Sequence, residues 1–498
     1  MRPGLIFIFL LFLNQIQGQQ TNNLIDSNKQ NYLAEVKIIG KKFADDFYPN
    51  YARFYSLPEK LFLAKIDSAR KDFITHLDRY KSKLETKYIQ EQQIEIKYYF
   101  DKLLIEYPVN HDIYIGKTSS TPFEIPEILK SNLADFNKPE LVENPDFTTY
   151  VKAFLSYQIN LELKKSIYKN LNNQQLNAVW KLIPKFISNP KCKAFWQFDF
   201  LYSHIDNNGI KDIDNIYTNF KSTCKDTAYL KKINSIYRED SIGRQGHLIR
   251  TYKTVGPVKL DIHMFLPDNI AIGNKRSVII YFHGGSWSEG KPDWFFYACS
   301  SYAKKGWIAC AVEYRTYGRH GTLPFSAVMD AKSAIRWLRQ HSNEYNIDTN
   351  KIVASGNSAG GHLILCAALA DKWNEETDDI KFSPAPNVLM VNSGVYDLTD
   401  QNTAWIRKDL KDKNLVKEIS PDYLIKKNIP STLIIHGTDD HNVSYSTAKL
   451  FVEEMAMAGN NNIEFQTLKG AGHFIWFDPK YSSEVSKLRS EFLTKLGY

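Results

Sequence analysis

The string GNSAGG at residues 356–361 constrains the possible fold more than any other feature of this sequence. It follows a β-branched run at residues 351–354 and precedes an apolar helical pattern at residues 359–370. A tight strand-to-helix turn leaves no room for side chains beside its central residue, so the flanking glycines would lift the Ser358 hydroxyl clear of the sheet. The string therefore predicts a nucleophilic serine at the end of a strand. A purely structural glycine turn is the alternative.

Past Gly243 the sequence alternates short β-branched runs with helical patterns, and glycines lie at the junctions. We predict strands at residues 249–255, 258–265, 277–282, 307–312, 351–354, 388–392, 432–435 and 463–468, the first two forming an antiparallel pair. We predict helices at residues 294–304, 324–340, 359–370, 445–458 and 482–496. This alternation predicts an α/β fold with a mostly parallel sheet, covered by helices on both faces. Such sheets carry their chemistry on the loops at the carboxyl ends of the strands.

The first half of the chain, residues 22–240, is rich in Lys, Asn and Tyr and poor in glycine. Helical spacing recurs there, for example at residues 147–168 and 173–187, while Pro108 is expected to interrupt a helix. Its histidines stand alone and give no metal-binding or catalytic spacing. We predict a predominantly helical domain whose role the sequence does not reveal.

The amino terminus has the pattern of a secretory signal peptide at residues 1–18. Arg2 supplies a positive charge, residues 5–13 are continuously apolar, and Gly18 is a small residue at the exit. About 20 apolar residues are needed to span a bilayer, so we expect cleavage near Gly18 and no stable membrane anchor. An uncleaved anchor is the alternative. The mature protein is expected to be secreted or periplasmic.

Charge and cysteine content exclude several classes of function. The 498 residues include 63 Lys and Arg against 55 Asp and Glu, a net charge of +8, and no dense basic cluster, so nucleic-acid binding is not expected. The five cysteines include no C-x-x-C pair, which argues against a zinc ribbon or redox motif. In an exported protein Cys192 and Cys224 could form a disulfide, and buried free thiols are the equal alternative.

The predicted strand at residues 277–282 leads into a second glycine motif, HGGSW at residues 283–287. Gly284 and Gly285 at a strand end would let backbone N–H groups point into a pocket and stabilise a developing oxyanion. The expected donors are the N–H groups of Gly285 and Ala359, with His283 orienting the loop. A plain turn is the alternative.

A serine nucleophile needs a general base, and that base needs a carboxylate to hold its tautomer. The expected chain order is serine, acid, histidine. After the strand at residues 432–435, Asp440 is the favoured acid and its neighbour Asp439 is the second candidate. Asp397, after the strand at residues 388–392, is a more remote third candidate.

The favoured base is His473, which follows a glycine pair after the last predicted strand. His362 is its main competitor, but it lies one helical turn past the serine and should face the core. His441 and His320 are weaker candidates.

With these residues identified, residues 245–498 resemble the α/β-hydrolase superfamily. The closest likeness is to the acetyl-esterase and lipase group related to hormone-sensitive lipase and to feruloyl-esterase-like enzymes of polysaccharide degraders. The motifs that carry the resemblance are HGGSW, GNSAGG, HGTDDHNV and GAGH, in that order. The resemblance implies an α/β-hydrolase catalytic domain at residues 245–498 with a triad of Ser358, Asp440 and His473. It also implies an oxyanion hole formed by the Gly284–Gly285 loop and Ala359, and it implies no metal or organic cofactor.

Two positions depart from the family pattern. Ser286 replaces the usual third glycine of the HGGG string, and Asn357 stands where a related lipase branch usually has aspartate.

Residues 314–322 have no counterpart that we can assign in the minimal fold and are dense in Arg, His and Tyr. We expect Arg319 and His320 to contact the substrate, with a salt-bridged surface loop as the alternative. Trp287, Trp294 and Trp476 fall near the predicted site, and aromatic walls suit sugar rings and aryl acids, although core packing is the commoner fate of tryptophan. Of the three, Trp287 is taken as a further possible substrate contact.

Together these features predict a secreted serine carboxylic-ester hydrolase that acts on a small-molecule or polysaccharide ester. The resemblance favours acetyl or feruloyl groups on carbohydrate. One alternative is a serine peptidase of the prolyl-oligopeptidase type, which shares the fold but usually carries a β-propeller before it. The other is a non-catalytic binding protein that retains the fold. The sequence leaves the oligomeric state open.

Overall fold

The computed structural model of this chain describes residues 27–169, 171–268 and 275–498. The predicted signal peptide lies outside these ranges. The chain divides into two compact units, described separately below. The helical unit comprises residues 27–165, Ala178–Gln197 and Arg407–Leu410, and the sheet unit comprises Ser166–Asn177, Phe198–Ile406 and Lys411–Tyr498.

Between residues 27 and 243 the described segments are helical, as the sequence predicts. The α-helices are α1 (Ser27–Phe47), α2 (Tyr51–Tyr55), α3 (Glu59–Tyr80), α4 (Thr86–Ile115), α5 (Ile125–Ile128), α6 (Pro145–Glu162), α7 (Gln174–Phe186), α8 (Pro190–Asn208), α9 (Asp214–Thr223) and α10 (Thr227–Gly243). Short 3-10 helices occupy Leu129–Asn137, Pro139–Leu141 and Ser166–Tyr168.

The long helix α4 forms the centre of the helical unit and contains Pro108 in its interior. The expectation that Pro108 interrupts a helix is therefore wrong. A proline inside a helix removes one hydrogen bond and costs about 3 kcal/mol. Buried packing offsets this cost here, because the neighbouring Tyr107 is fully buried, contacts the ring of Phe62 and donates a 2.6 Å hydrogen bond to the carbonyl of Leu57.

The sheet unit contains an eight-stranded sheet in the order β1-β2-β4-β3-β5-β6-β7-β8. Its strands are β1 (Leu248–Val255), β2 (Val258–Phe265), β3 (Arg276–Phe282), β4 (Ile308–Val312), β5 (Ile347–Asn357), β6 (Val388–Asn392), β7 (Ser431–Gly437) and β8 (Ile463–Leu468). The strand β2 is antiparallel to β1 and β4, and the neighbours from β4 through β8 are parallel. This mostly parallel sheet confirms the predicted fold class.

From residue 296 onward the α-helices are α11 (Phe296–Lys304), α12 (Tyr317–His320), α13 (Pro324–Gln340), α14 (Ala359–Leu369), α15 (Ala404–Arg407), α16 (Tyr445–Met457) and α17 (Ser482–Lys495). Both faces of the sheet carry helices. Helices α11 and α17 pack on one face, in a core that includes Cys299, Ile435 and Phe492. Helix α14 packs on the other face, where Gly361 lies against Val391 of β6. Because successive strand residues point to opposite faces, nearly every position of the central strands is apolar.

The sheet unit begins earlier in the chain than its first strand. The predicted boundary between residues 240 and 245 marks the change from helices to strands, but residues from α8, α9 and α10 already belong to this unit. Lys211, between α8 and α9, forms 2.6 Å ion pairs with Asp261 on β2 and with Glu313 after β4. These pairs tie the end of the helical segment to the sheet.

All five cysteines carry free, buried thiols, so the disulfide considered for Cys192 and Cys224 is not formed. Among the described residues, no helix combines the length and the apolar character that a bilayer span requires.

The buried Lys211–Glu313 pair predicts a pH-dependent stability. Burial alone would raise the pKa of Glu313, but Lys211 and Arg319 outweigh burial and hold this pKa at about 2. We expect Lys211→Met to destabilise the fold by about 3–5 kcal/mol at pH 7, because it leaves a buried carboxylate without this partner. Thermal unfolding of the purified chain measures the effect.

The same variant gives a pH signature. Since the pKa of Glu313 is lower in the folded chain than its ordinary 4.5, its stabilising contribution is complete above that pH and is lost as the pH falls towards 2. The difference in melting temperature between wild type and Lys211→Met should therefore shrink over this interval. Lys225→Met, at an exposed lysine, is the matched control and should leave stability nearly unchanged. A Lys211→Met chain that melts like the control at pH 7 would contradict the account.

Candidate active site

Ser358 lies between the end of β5 and the first residue of α14, at the turn predicted from the sequence. Its φ of 53° and ψ of −120° are in a region that residues other than glycine rarely adopt. Such a conformation costs about 1–3 kcal/mol and persists only where the surrounding structure holds it. The N–H of Ser358 donates a 2.9 Å hydrogen bond to the carbonyl of Asn392 at the end of β6. The serine is thus fixed in a strained turn at the carboxyl edge of the sheet.

Two glycines make this turn possible because the backbone approaches them closely. A Cβ atom on Gly356 would lie 2.3 Å from the carbonyl carbon of Gly360. A Cβ atom on Gly360 would lie 2.0 Å from the carbonyl oxygen of Phe282, the last residue of β3. Any side chain at these two positions would push α14 away from the sheet. The helix begins at Ala359, so the positive end of its dipole lies next to Ser358.

The loop at residues 283–290 runs beside the serine turn. A Cβ atom on Gly284 would lie 3.2 Å from the backbone oxygen of Asn357 and 3.3 Å from Cβ of Ser358, so the loop passes close to the serine turn. The next three residues, Gly285, Ser286 and Trp287, all have positive φ values, of 99°, 51° and 56°. Ser286, at the position of the usual third glycine, therefore adopts the left-handed conformation without being glycine. The loop has the proximity to Ser358 that an oxyanion hole requires.

Tyr314 and His283 hold this loop in place. The Tyr314 hydroxyl lies 2.8 Å from the carbonyl oxygen of His283 and 3.2 Å from that of Gly284. The rings of His283 and Tyr314 stack with centroids 4.1 Å apart. Burial lowers the pKa of His283 to about 4, so the imidazole is neutral at pH 7, and its Nδ1–H donates to the carbonyl of Gly284 at 2.8 Å. His283 thus orients the loop, and sequence reasoning missed Tyr314 because its contact spans about 30 residues of chain.

Trp287 and His362 connect the loop to the serine helix. The indole N–H of Trp287 donates to Nδ1 of His362 at 3.2 Å, and Nε2 of His362 donates to the carbonyl of Ile419 at 2.6 Å. Burial lowers the pKa of His362 to about 4. Both ring nitrogens of His362 are engaged in these hydrogen bonds. As the sequence predicts, this histidine faces the core, so it is not available as the base for Ser358. Trp287 is only 3% exposed, which corresponds to the core-packing alternative rather than to an open substrate contact.

A short hydrogen bond joins the favoured acid to the favoured base. Nδ1 of His473 lies 2.7 Å from Oδ2 of Asp440. The other carboxylate oxygen of Asp440 accepts 2.9 Å hydrogen bonds from the backbone N–H groups of Asn442 and Val443. His436, at the end of β7, places its Nε2 3.2 Å from Oδ2. This arrangement leaves Nε2 of His473 as the ring nitrogen that can accept a proton.

The hydrogen bonds around Asp440 keep it ionised. Burial by itself would raise the pKa of this carboxyl group, but the hydrogen bonds from His436 and His473 outweigh burial and hold the pKa well below its usual range. A negative charge therefore faces the imidazole of His473 at any pH near neutrality, where it can stabilise an imidazolium.

The other candidates for acid and base lie elsewhere. Asp439 is exposed and accepts a hydrogen bond from the hydroxyl of Thr438. The carboxylate of Asp397 accepts from the backbone N–H and the hydroxyl of Thr399. His441 is exposed.

Strand register brings the serine and the Asp440–His473 pair to one edge of the sheet. Asn357 of β5 is in register with Asn392 of β6, and Asn392 with Ile435 of β7. At about 4.8 Å between neighbouring strands, the ends of β5 and β7 are about 10 Å apart, a gap that two side chains can bridge. Ser358 and His473 each remain 8% exposed, so both side chains keep some access to solvent.

Asn357, one of the two departures from the family pattern, has a local hydrogen-bond partner. Its Oδ1 accepts a 2.8 Å hydrogen bond from the side-chain amide of Asn392.

The structure overturns one of the two expectations for Arg319 and His320, the surface loop. Both side chains are buried, so the salt-bridged surface loop is wrong, and their contacts are internal to the sheet unit. Nε of Arg319 donates to Oδ1 of Asn173 at 3.1 Å. Nδ1 of His320 accepts from the N–H of Thr316 at 3.0 Å, and burial lowers the pKa of His320 to about 3. These contacts stabilise residues 314–322 from inside, and they give no support to a role in substrate contact.

Three kinds of known protein are similar to this chain. The BD-FAE family model matches residues 260–455. Esterase LipC of Mycobacterium tuberculosis is 28% identical over 39% of this chain and 52% of its own length, and esterase LipQ of the same organism is 27% identical over 42% and 52%. The probable isoprenylcysteine alpha-carbonyl methylesterase ICMEL1 of Arabidopsis thaliana is 23% identical over 40% of this chain and 45% of its own length.

Among solved structures, the esterase 2 of Thermogutta terrifontis is 34% identical. The match covers 51% of this chain and 96% of that chain, with a TM-score of 0.48. This chain spans about half the length of the curated relatives it matches.

The close approach at Gly360 predicts a strong effect of a single methyl group. We expect Gly360→Ala to destabilise the fold by about 3 kcal/mol, because the new Cβ would overlap the carbonyl oxygen of Phe282. Gly243→Ala is the matched control, since a Cβ there meets no atom within 4 Å. Urea unfolding of both variants measures the difference. Equal stability of the two variants would show that α14 does not begin as close to β3 as described.

Proposed function

Residues 245–498 belong to the α/β-hydrolase superfamily, in its acetyl-esterase and lipase group, and we propose that this chain is a serine carboxylic-ester hydrolase. One observation carries the proposal. The 2.7 Å hydrogen bond between Asp440 and His473 lies at the same sheet edge as the strained turn that presents Ser358. A nucleophile, a base and the acid that orients the base are the minimal set for acyl transfer.

The proposed reaction proceeds through an acyl-enzyme. Oγ of Ser358 attacks the ester carbonyl carbon while Nε2 of His473 takes the hydroxyl proton, and the carbonyl π electrons move onto oxygen. When the tetrahedral intermediate collapses, the bond to the alcohol breaks and His473 returns the proton to the leaving oxygen. Water then attacks the acyl-serine by the same route and releases the acid and the free serine. Asp440 stays ionised throughout and stabilises the imidazolium.

The developing oxyanion would be held by the backbone N–H groups of Gly285 and Ala359. Support comes from the close approach of the Gly284 loop to Ser358 and from the start of α14 at Ala359. A donor of this kind contributes about 10²–10³ in rate because it is fixed before charge develops. The hydrogen bonds from Tyr314 to the loop carbonyls supply that fixation.

For the substrate we propose an acyl group, such as acetyl or feruloyl, on carbohydrate. The match to the BD-FAE family supports this choice. The helical segments argue against the prolyl-oligopeptidase alternative. That class usually carries a β-propeller before the hydrolase domain, and the described residues between 27 and 243 are helical and contain no β-strand.

A hydrolysis screen tests the proposal. The purified chain is assayed on p-nitrophenyl acetate, on acetylated and feruloylated polysaccharides, and on a proline nitroanilide. We expect turnover of the esters that is lost in Ser358→Ala. Turnover of the nitroanilide alone, or full ester hydrolysis by Ser358→Ala, would contradict the proposal.

We also infer that the chain is exported, on the basis of the apolar segment at residues 5–13. Production in a secreting host, followed by amino-terminal sequencing, tests this inference. The mature chain should be found in the medium or periplasm and begin just after Gly18. A cytoplasmic chain that begins at Met1 would contradict it.

The hydrogen bond to His473 predicts which of the two adjacent aspartates matters. We expect Asp440→Asn to lower kcat by about 10⁴-fold, because an amide would favour the wrong tautomer of His473 and would not stabilise its charged form. Asp439→Asn, at the exposed neighbour, is the control and should keep nearly full activity. Steady-state kinetics on p-nitrophenyl acetate measure both. A large loss in Asp439→Asn with full activity in Asp440→Asn would reverse the assignment.

A further inference from the structure

Three aromatic side chains lie within four residues after the proposed base, His473, and have no role in the chemistry described above. Phe474 is 51% exposed and Phe477 is 59% exposed, which is unusual for phenylalanine, while Trp476 between them is half-buried. We refer to Phe474, Trp476 and Phe477 as the aromatic platform. Large apolar groups that stay exposed beside a reactive residue are a common mark of a binding surface.

The rings of the aromatic platform form a continuous series that begins at the imidazole. The ring centroid of His473 lies 5.2 Å from that of Phe474 and 5.9 Å from that of Trp476. Trp476 in turn lies 5.9 Å from Phe474 and 5.8 Å from Phe477. Two rings of the platform therefore pack against the imidazole of the base.

The backbone fixes the exposed rings in place. The N–H groups of Phe477 and Asp478 both donate to the carbonyl of Phe474, at 2.9 and 3.0 Å, which closes a tight turn. Ile475, between the first two rings, is 1% exposed and belongs to the core of the sheet unit. This anchored turn directs the two phenyl rings outward, so their exposure is part of the fold.

The position of the platform relates it to one half of an ester. In the mechanism proposed above, His473 passes its proton to the oxygen of the leaving alcohol, so that oxygen must lie next to the imidazole. The acyl carbon lies at Ser358, on the other side of the bond that breaks. Groups packed on the imidazole of His473 are thus placed to meet the alcohol portion of the substrate.

We propose that the aromatic platform is an alcohol-side subsite that takes an uncharged ring with an apolar face, such as a sugar or a phenol. This inference rests on the proposed ester hydrolase function. Residues 471–477 carry no Asp, Glu, Lys or Arg, and Oδ1 of the next residue, Asp478, already accepts a 2.9 Å hydrogen bond from the N–H of Lys480. The three rings themselves therefore offer apolar faces rather than an ion pair. A pyranose C–H face and an aryl ring both stack on aromatic side chains, and stacking removes apolar area of both partners from water.

The test compares esters that share an acetyl group and differ in the alcohol. Ethyl acetate has no ring, phenyl acetate has an aryl ring, and an acetylated methyl xyloside has a sugar ring. Phe477→Leu is the main variant because Phe477 contacts Trp476 rather than the imidazole, and leucine keeps apolar bulk while it removes the flat face. Phe477→Trp restores a ring. Tyr297→Ala, at a 90% exposed aromatic residue on α11, is the matched control.

We expect Phe477→Leu to raise KM for at least one ring-bearing ester about tenfold more than for ethyl acetate, with kcat little affected. Phe477→Trp should return KM to near the wild-type value, and Tyr297→Ala should have wild-type KM values for all three esters. A rise in KM confined to phenyl acetate assigns the platform to aryl alcohols, and a rise confined to the xyloside assigns it to sugars.

Other outcomes overturn the inference. If Phe477→Leu changes KM equally for all three esters, or changes it for none, the platform is not an alcohol-side subsite, although the wild type remains an ester hydrolase. If the folded wild type hydrolyses none of the esters, the proposed function fails and the subsite fails with it.

Discussion

The close backbone contact between the start of α14 and the end of β3 is the constraint on which the rest of the site depends. A single Cβ atom at Gly360 would lie 2.0 Å from the Phe282 carbonyl oxygen, so only glycine permits this approach. The approach forces the chain through a sharp turn at Ser358, whose φ of 53° is rare for a residue with a side chain. It also brings the loop that follows β3 against that serine. The strain of about 1–3 kcal/mol at one residue is offset by the packing around it.

The loop at residues 283–290 is held from several directions by residues distant in sequence. Tyr314 bonds its carbonyl groups, and the Trp287–His362 hydrogen bond joins it to the serine helix. The N–H of Gly290 donates to the carbonyl of Asn207 on α8 at 2.9 Å. Asn207 and Lys211, near the end of the helical part of the chain, therefore help to hold the sheet unit together. Asn207 does so through a backbone hydrogen bond, and Lys211 through its ion pairs. An oxyanion hole depends on this kind of fixed geometry because its donors must be aligned before charge develops.

The sequence predicts the parts of this structure that depend on local pattern. The strands and helices past residue 248 follow from periodicity, and the serine turn follows from glycines at fixed spacing. Spacing also favours Asp440 over Asp439, and in the structure the carboxylate of Asp440 is the one that meets His473.

The failures share one physical cause, because each depends on contacts that the local sequence does not encode. Pro108 remains inside a helix because buried aromatic packing outweighs one lost hydrogen bond. The surface-loop alternative for Arg319 fails because this side chain is buried against Asn173, about 150 residues away. Tyr314 gives no motif, although its hydroxyl holds the loop beside the serine.

The central claim is that the fold makes one serine reactive. The most direct measurement is covalent labelling of the chain by a p-nitrophenyl phosphonate, followed by intact mass analysis and peptide mapping. The account predicts one phosphonyl group per chain, located on Ser358, with stoichiometric release of nitrophenol. Labelling of a different residue as the main product, or a folded chain that stays unlabelled under conditions that inactivate serine esterases, would contradict it.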